Sequence, residues 1–428
     1  MNTVERIIHR VLWKGHAHDL ILDRDRVVEL RPAQETSGEQ GEFMPLLLPG
    51  LMDCHTHLRE PGQEHKEDVV SGSQAAAAGG FGNILCMPNT SPPNDHPGIT
   101  SHMLGQALLR HSAGPALHPV GALSKQLEGK ELSPMFELAQ AGCIAFSNDG
   151  LPVSDTAILR QAMEYSADLK RVVIDHCEDP TLSPEGVINE GQLSSRLGLP
   201  GVPSIAESIQ VARDILLSSY LDIPIHLAHI STRESVELIH WAKAKGIPVS
   251  AETCPHYLTW SENQILEYNP LFKVNPPLRS TDDILALRQA IRDGTIDILA
   301  TDHAPHADHE KEMPYSDAPS GISGLDTALS LCWSLVQQNE LSTQDLLRLW
   351  CHRPAELFGL RENQFHPGDP ADFLLFDPSA IWTPTPENLL SKGKNTPCLH
   401  QELPGRVLLN CFRGEVIFGE VPEDAFWQ

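Results

Sequence analysis

The stretch LMDCHTHLREPGQEHKED, residues 51–68, places three histidines, an arginine and several acids within eighteen positions. Imidazole nitrogen and carboxylate oxygen are both ligands for zinc. In a strand, residues i, i+2 and i+4 face the same way, so His55, His57 and Arg59 are expected to line one wall: two metal donors with a cation beside them. A chain with 21 histidines also produces an HxH pair by chance, so the pair alone specifies nothing.

The same donor types recur farther along, at Asp149, His176, His229 and Asp302. Each alone has a structural explanation: Asp149-Gly150 could mark a turn, His176 could be a satisfied core histidine, and Asp302 could cap a loop. Their common placement at the ends of apolar runs points instead to convergence on one rim. Six donors that share one acid would hold two metals. His226 and His303, out of register with His229 and Asp302, are left as structural residues. His256 is read as core or as support for a ligand, and His65 as solvated or paired with a nearby acid.

The elements that must position these donors are eight apolar runs at 46–58, 81–89, 116–124, 143–149, 171–178, 223–231, 247–258 and 297–305. Longer helix-compatible segments separate them, with helical spacing clearest over 204–221 and an alanine-rich piece at 72–80. Short apolar runs alternating with such segments are the pattern of parallel β/α units. Eight units predict an α/β (β/α)8 TIM-type barrel, whose chemistry sits at the C-terminal ends of its strands.

The ends of the chain read differently. ILDRDRVVEL (21–30), HPGDPADFLLFDP (366–378) and RVLLNCFRGEVIFG (406–419) are short strands broken by turns, and QETSGEQGE (34–42) reads as an exposed loop. Residues 1–48 and 361–428 are therefore expected to pair into one small β-sandwich-like unit beside a catalytic barrel at 49–360, with helix ending near 357–360.

Composition excludes several partners. With 57 acidic against 31 basic residues the formal charge is −26, which argues against nucleic acid and anionic membranes. An anionic ligand must be drawn in locally. The nine cysteines lie singly with no CxxC, which argues against a disulfide framework and fits a reduced cytoplasm. No apolar stretch has the length of a signal peptide or a membrane span.

DCHTHLREPG (53–62), MPNTSPPND (87–95), IDHCED (174–179), RLGLPGVPSIAE (196–207), LAHIST (227–232), VNPPLR (274–279) and ATDHAPH (300–306) together resemble class I dihydroorotases of the amidohydrolase superfamily. HxH marks only the superfamily; HLREPG with MPNT and DHAPH is more specific. The resemblance implies a cytoplasmic enzyme with two zinc ions per subunit that interconverts N-carbamoyl-L-aspartate and L-dihydroorotate in pyrimidine biosynthesis. Carried over by motif, His55, His57 and Asp302 hold one zinc, His176 and His229 the other, and Asp149 bridges. Arg59, Asn89 and His306 match positions that hold the substrate carboxylate, and Asn275, Ser320 and Gly321 match further substrate contacts. Asp302 is also the expected acid–base catalyst, because a carboxylate beside the hydrolytic water can take its proton and return it to the leaving nitrogen. A homodimer and association with an aspartate transcarbamoylase are further implications.

Two positions depart from the family pattern. SNDG (147–150) has Asn148 where many relatives carry a second acid, leaving Asp149 as the only candidate bridge. Ser320 stands where many carry an aromatic. Two rival readings stay open: a hydantoinase- or allantoinase-type hydrolase, whose metals are typically bridged by a carboxylated lysine at strand four, and a non-catalytic partner of a transcarbamoylase, which would have lost metal ligands.

Overall fold

A computed structural model describes residues 5–33, 43–110 and 114–420; the loop expected at 34–42 lies outside the described residues. Eight parallel strands follow one another around a barrel: β1 (Leu51–Thr56), β2 (Phe81–Cys86), β3 (Ala116–Ala122), β4 (Ala145–Ser147), β5 (Val172–Asp175), β6 (Ile225–Leu227), β7 (Val249–Thr253) and β8 (Ile298–Leu299). Thr56 bridges His303 to close the ring, and the His57 N–H donates to the His303 carbonyl at 2.8 Å. Strands covered on both faces need continuous apolar runs, and every residue of β1 and of β7 is buried.

Helices fill the connections. Val69–Ala78 is capped by Asp68, which accepts from the N–H groups of Val70 and Ser71. The helix expected over 204–221 spans Ser204–Leu221. The last helix of the barrel region, Arg353–Phe358, ends on Gly359 at φ +66°, and Phe358 packs in one cluster with Cys54, Leu85, Val120, Ala145, Ile174 and Ile298 from the strands.

The terminal segments form one mostly antiparallel seven-stranded sheet. Its order is Glu415–Gly419, Leu403–Phe412, Phe373–Trp382, Leu46–Pro49, Glu5–Trp13, His16–Asp23, Arg26–Pro32, over a core that includes Ile8, Leu20, Leu22, Leu47, Phe373 and Leu409. The single apolar run at 46–58 thus serves two sheets. Leu46–Pro49 pairs with Phe376–Phe373, Gly50 donates to the Asp372 carbonyl, and β1 begins one residue later. Hydrophobicity is otherwise continuous across this switch, and only the Pro49-Gly50 dipeptide marks it. Among the described residues, no helix is long and apolar enough to cross a membrane.

Candidate active site

The residues chosen from the sequence converge. All of them except His55 line one cavity of about 450 Å³, and His55, fully buried, sits behind it. Only His55 lies within β1. His57 follows the strand by one residue and Arg59 has left it with φ +60°, so the wall is built by a strand end and its turn rather than by strand alternation. His229 and Asp302 also take left-handed backbone, at φ +34° and +47°. Such conformations cost non-glycine residues free energy and concentrate at functional sites.

Asp149 is the hub. Its Oδ2 lies 3.2 Å from His55 Nε2 and 3.5 Å from His57 Nε2, while its Oδ1 lies 3.3 Å from His229 Nε2 and 3.5 Å from His176 Nδ1. Asp302 Oδ1 joins the first half, 3.1 Å from His57 Nε2 and 3.6 Å from His55 Nε2. The donor atoms thus form two triads that share one carboxylate, His55–His57–Asp149 and Asp149–His176–His229, each with its atoms within 4.8 Å of one another. Gly150, at φ +91°, lets the chain turn here: a Cβ on it would lie 2.8 Å from Asn89 Nδ2.

Three of the four rings are oriented from behind, as metal-binding histidines characteristically are. His55 Nδ1 is 2.7 Å from Glu252 Oε1, His57 Nδ1 is 2.7 Å from Asn89 Oδ1, and His176 Nε2 is 3.1 Å from Glu178 Oε2. Each contact leaves the other nitrogen pointing into the cluster. His55 Nε2 is buried there with no hydrogen-bond partner, the situation a metal ion relieves. Burial would raise the Asp149 pKa, yet His55, His176 and His229 hold it well below the usual carboxylate range. Burial likewise opposes charge on His176, but Asp149 and Glu178 push it up to about 10, and Asp302 is held at about 2, against burial, by His57 and His55. The cluster therefore calls for positive charge between its acids, and a donor set of imidazoles and carboxylates fits zinc. A third buried group, Asp175, Cys177 and Asp214, already has a cation: Arg213 lies 3.0 Å from Asp175 and 2.7 Å from Asp214.

Beside this centre Arg59 is 9% exposed. Its Nε donates to the Pro305 carbonyl at 3.3 Å, and among the described residues it has no ion-pair partner. Burial lowers its pKa, an unfavourable position for a cation without an anion to meet. Asn89 spends its oxygen on His57, which leaves its N–H groups for another acceptor. Asn275 Nδ2 donates to Glu178 at 2.9 Å. His306 donates from Nε2 to the Ser320 carbonyl at 2.9 Å, and burial together with Arg59 and Lys311 brings its pKa down to about 3. A neutral ring bonded in this way offers Nδ1 only as an acceptor, so it can hold a carboxylate only by turning or by gaining a proton.

The histidines set aside from the sequence stay outside the cluster. His226 bonds Ser250 and Glu252, and His303 bonds Glu67. His256 is buried, and His65 is exposed. Asn148 turns away from the acids, with its Oδ1 accepting from the Ser124 N–H at 3.0 Å. Sequence reasoning missed Glu178 and Glu252. Glu178 lies two residues after His176, and Glu252 is an acid inside an otherwise apolar run; a buried charge of that kind needs a partner.

The barrel is shared with the L-hydantoinase (dihydropyrimidinase) from Arthrobacter aurescens, at TM-score 0.84 and 24% identity over 98% of this chain and 97% of that one, and with the dihydropyrimidinase from Brevibacillus agri, at TM-score 0.79 and 21% identity over 97% and 95%. That likeness defines the fold, a (β/α)8 barrel with a β unit built from the terminal segments. The Dihydro-orotase-like family model matches residues 45–235. The chain is 43% identical to the dihydroorotase of Syntrophus aciditrophicus over 94% of its length and 95% of the relative's, and 43% identical to that of Syntrophotalea carbinolica over 96% and 97%. The chain belongs to the dihydroorotase family.

Proposed function

We propose that this chain is a dihydroorotase that interconverts N-carbamoyl-L-aspartate and L-dihydroorotate, holding two zinc ions with His55, His57, Asp149, His176, His229 and Asp302. The observation that carries the substrate assignment is Arg59: a buried guanidinium with no ion-pair partner among the described residues, lining the same cavity as the donor cluster. A substrate with a carboxylate supplies the missing anion through a charge-assisted, planar contact. A neutral cyclic amide does not.

Held by the residues of the two triads, metal ions would supply Lewis acidity, lowering the pKa of a water and polarising the carbonyl under attack. The chain's own residues do the rest. Arg59 and the free N–H groups of Asn89 orient the substrate carboxylate, and the 320–321 backbone and Asn275 border the ring. In the hydrolytic direction the water oxygen bonds to the ring carbonyl carbon, the C–N bond breaks, and Asp302 carries the water's proton to the departing nitrogen. Cyclisation runs the same transfers backwards. A carboxyl held at about 2 is ionised at neutral pH.

A homodimer, association with an aspartate transcarbamoylase and a cytoplasmic location belong to the same reading; nine free, buried cysteines suit a reducing compartment. The functional test is to incubate zinc-loaded protein with dihydroorotate, hydantoin and allantoin and to follow ring opening by ultraviolet absorbance. Turnover of dihydroorotate well above the other two is expected. Preference for hydantoin or allantoin, or a zinc-loaded protein inert toward all three, overturns the proposal.

A further inference from the structure

The wall that carries Arg59's backbone contact and His306 is made of two short loops distant in sequence, 304–306 and 320–321. Both are bonded by one side chain from the C-terminal part of the chain. Asn395 Oδ1 accepts the His306 N–H at 2.8 Å, and Asn395 Nδ2 donates to the Ala304 carbonyl at 3.1 Å and to the Gly321 carbonyl at 3.0 Å. The side chain is 3% exposed, and both its donors and its acceptor go to this wall. The Ser323 N–H in turn donates to the Asn395 carbonyl at 3.0 Å. Close backbone approach marks the same place. A Cβ on Gly393 would lie 2.6 Å from Pro305 Cβ and 2.9 Å from the His306 nitrogen, and one on Gly321 would lie 2.5 Å from the Ala304 carbonyl oxygen.

We infer that Asn395 is a positioning residue for substrate binding, which makes the segment 391–396 part of the active site although it follows the barrel in sequence. The inference rests on the reading of Arg59, His306 and Gly321 as substrate contacts. Arg59 is steered by the Pro305 carbonyl, which sits between the two residues that Asn395 bonds; His306 and Gly321 are bonded directly. None of the metal donors contacts Asn395. Its loss should therefore weaken substrate binding and leave the metal centre in place. Only an uncharged amide serves: aspartate keeps the bond from His306 but meets two carbonyls with a negative oxygen, and alanine strands all three backbone groups.

The test compares full-length, zinc-loaded N395A and N395D with the parent for zinc content, thermal unfolding and steady-state kinetics on dihydroorotate. Zinc content should match the parent, KM should rise about 10–100-fold, as displaced positioning groups cause, and kcat should change far less. Simple loss of folded protein would instead lower kcat and zinc together at constant KM. An unchanged KM in the folded variants overturns the inference, and the isosteric N395D decides if N395A does not fold. A parent protein without activity on dihydroorotate overturns the functional reading instead.

Discussion

His55 Nδ1 and Glu252 Oε1 lie 2.7 Å apart, and neither side chain has any exposed surface. The other oxygen of Glu252 is 3.1 Å from His226 Nε2, so one carboxylate accepts from two rings. Glutamine can do this only if His226 switches tautomer, since its amide nitrogen otherwise faces a ring donor. Glu252→Gln should weaken metal binding about 10–100-fold and destabilise the fold by about 1–3 kcal/mol. Chelator competition and denaturant titration measure the two effects; metal affinity equal to the parent's would remove Glu252 from the support of His55.

Asp149 and Asn148 are adjacent and do different work. Asp149→Ala should lose at least one zinc, since one oxygen of its carboxylate faces each triad. Asn148→Ala should keep both ions and lose only stability, about 1–3 kcal/mol, because its amide bonds Ser124 and the Leu127 carbonyl. Metal analysis of the two variants side by side decides, and equal zinc contents would show that the wrong residue was assigned as bridge.

Asp302→Asn separates ligand from base. The amide oxygen can still face the metal, but the group no longer takes up a proton. Near-native zinc is expected, with kcat down about 10²–10⁴-fold in both directions and the equilibrium between ring and open forms unchanged. A variant that ran at the parent's rate with two zincs bound would reduce Asp302 to a ligand.

Arg59→Met should spare zinc content and cost about 2–4 kcal/mol of dihydroorotate binding, the scale for removing one side of a buried charge pair. The same substitution should leave hydrolysis of an uncharged cyclic amide nearly unchanged, however slow that reaction is in the parent. KM values for both substrates test this, and parallel losses on the two would mean that Arg59 acts through the fold and not through the carboxylate.

The convergence of the His and Asp cluster was legible in the sequence because each member is a polar residue at the end of an apolar run, and barrel topology brings all such ends to one rim. His55, Asp149, His176, His229 and Asp302 needed only that rule. Arg59 was found for an incomplete reason: alternation along a strand placed it beside His57, whereas a left-handed turn does so in the structure. Glu252 and Glu178 act through histidines, so their roles depend on ring orientation, which spacing does not encode. The sheet switch at Gly50 is signalled only by the Pro49-Gly50 dipeptide, which the apolar residues demanded by both sheets make easy to pass over. Asn395 had no signal at all, since it stands in an irregular segment and its partners are backbone groups 74 to 91 positions away.

The pairing of Leu46–Pro49 with Phe373–Trp382 sets a timetable for biosynthesis. The first of these strands emerges from the ribosome immediately before β1, and its second neighbour in the sheet is translated only after the whole barrel. Until then one edge of Leu46–Pro49 stands unpaired, a template for wrong partners. A nascent chain stalled just beyond Asp302 would already own every His and Asp of the central cluster, yet it would have neither that edge covered nor the 304–306 and 320–321 loops tied down by Asn395. The His and Asp cluster can thus assemble before the wall that Asn395 ties together, and a segment translated after the barrel completes that wall.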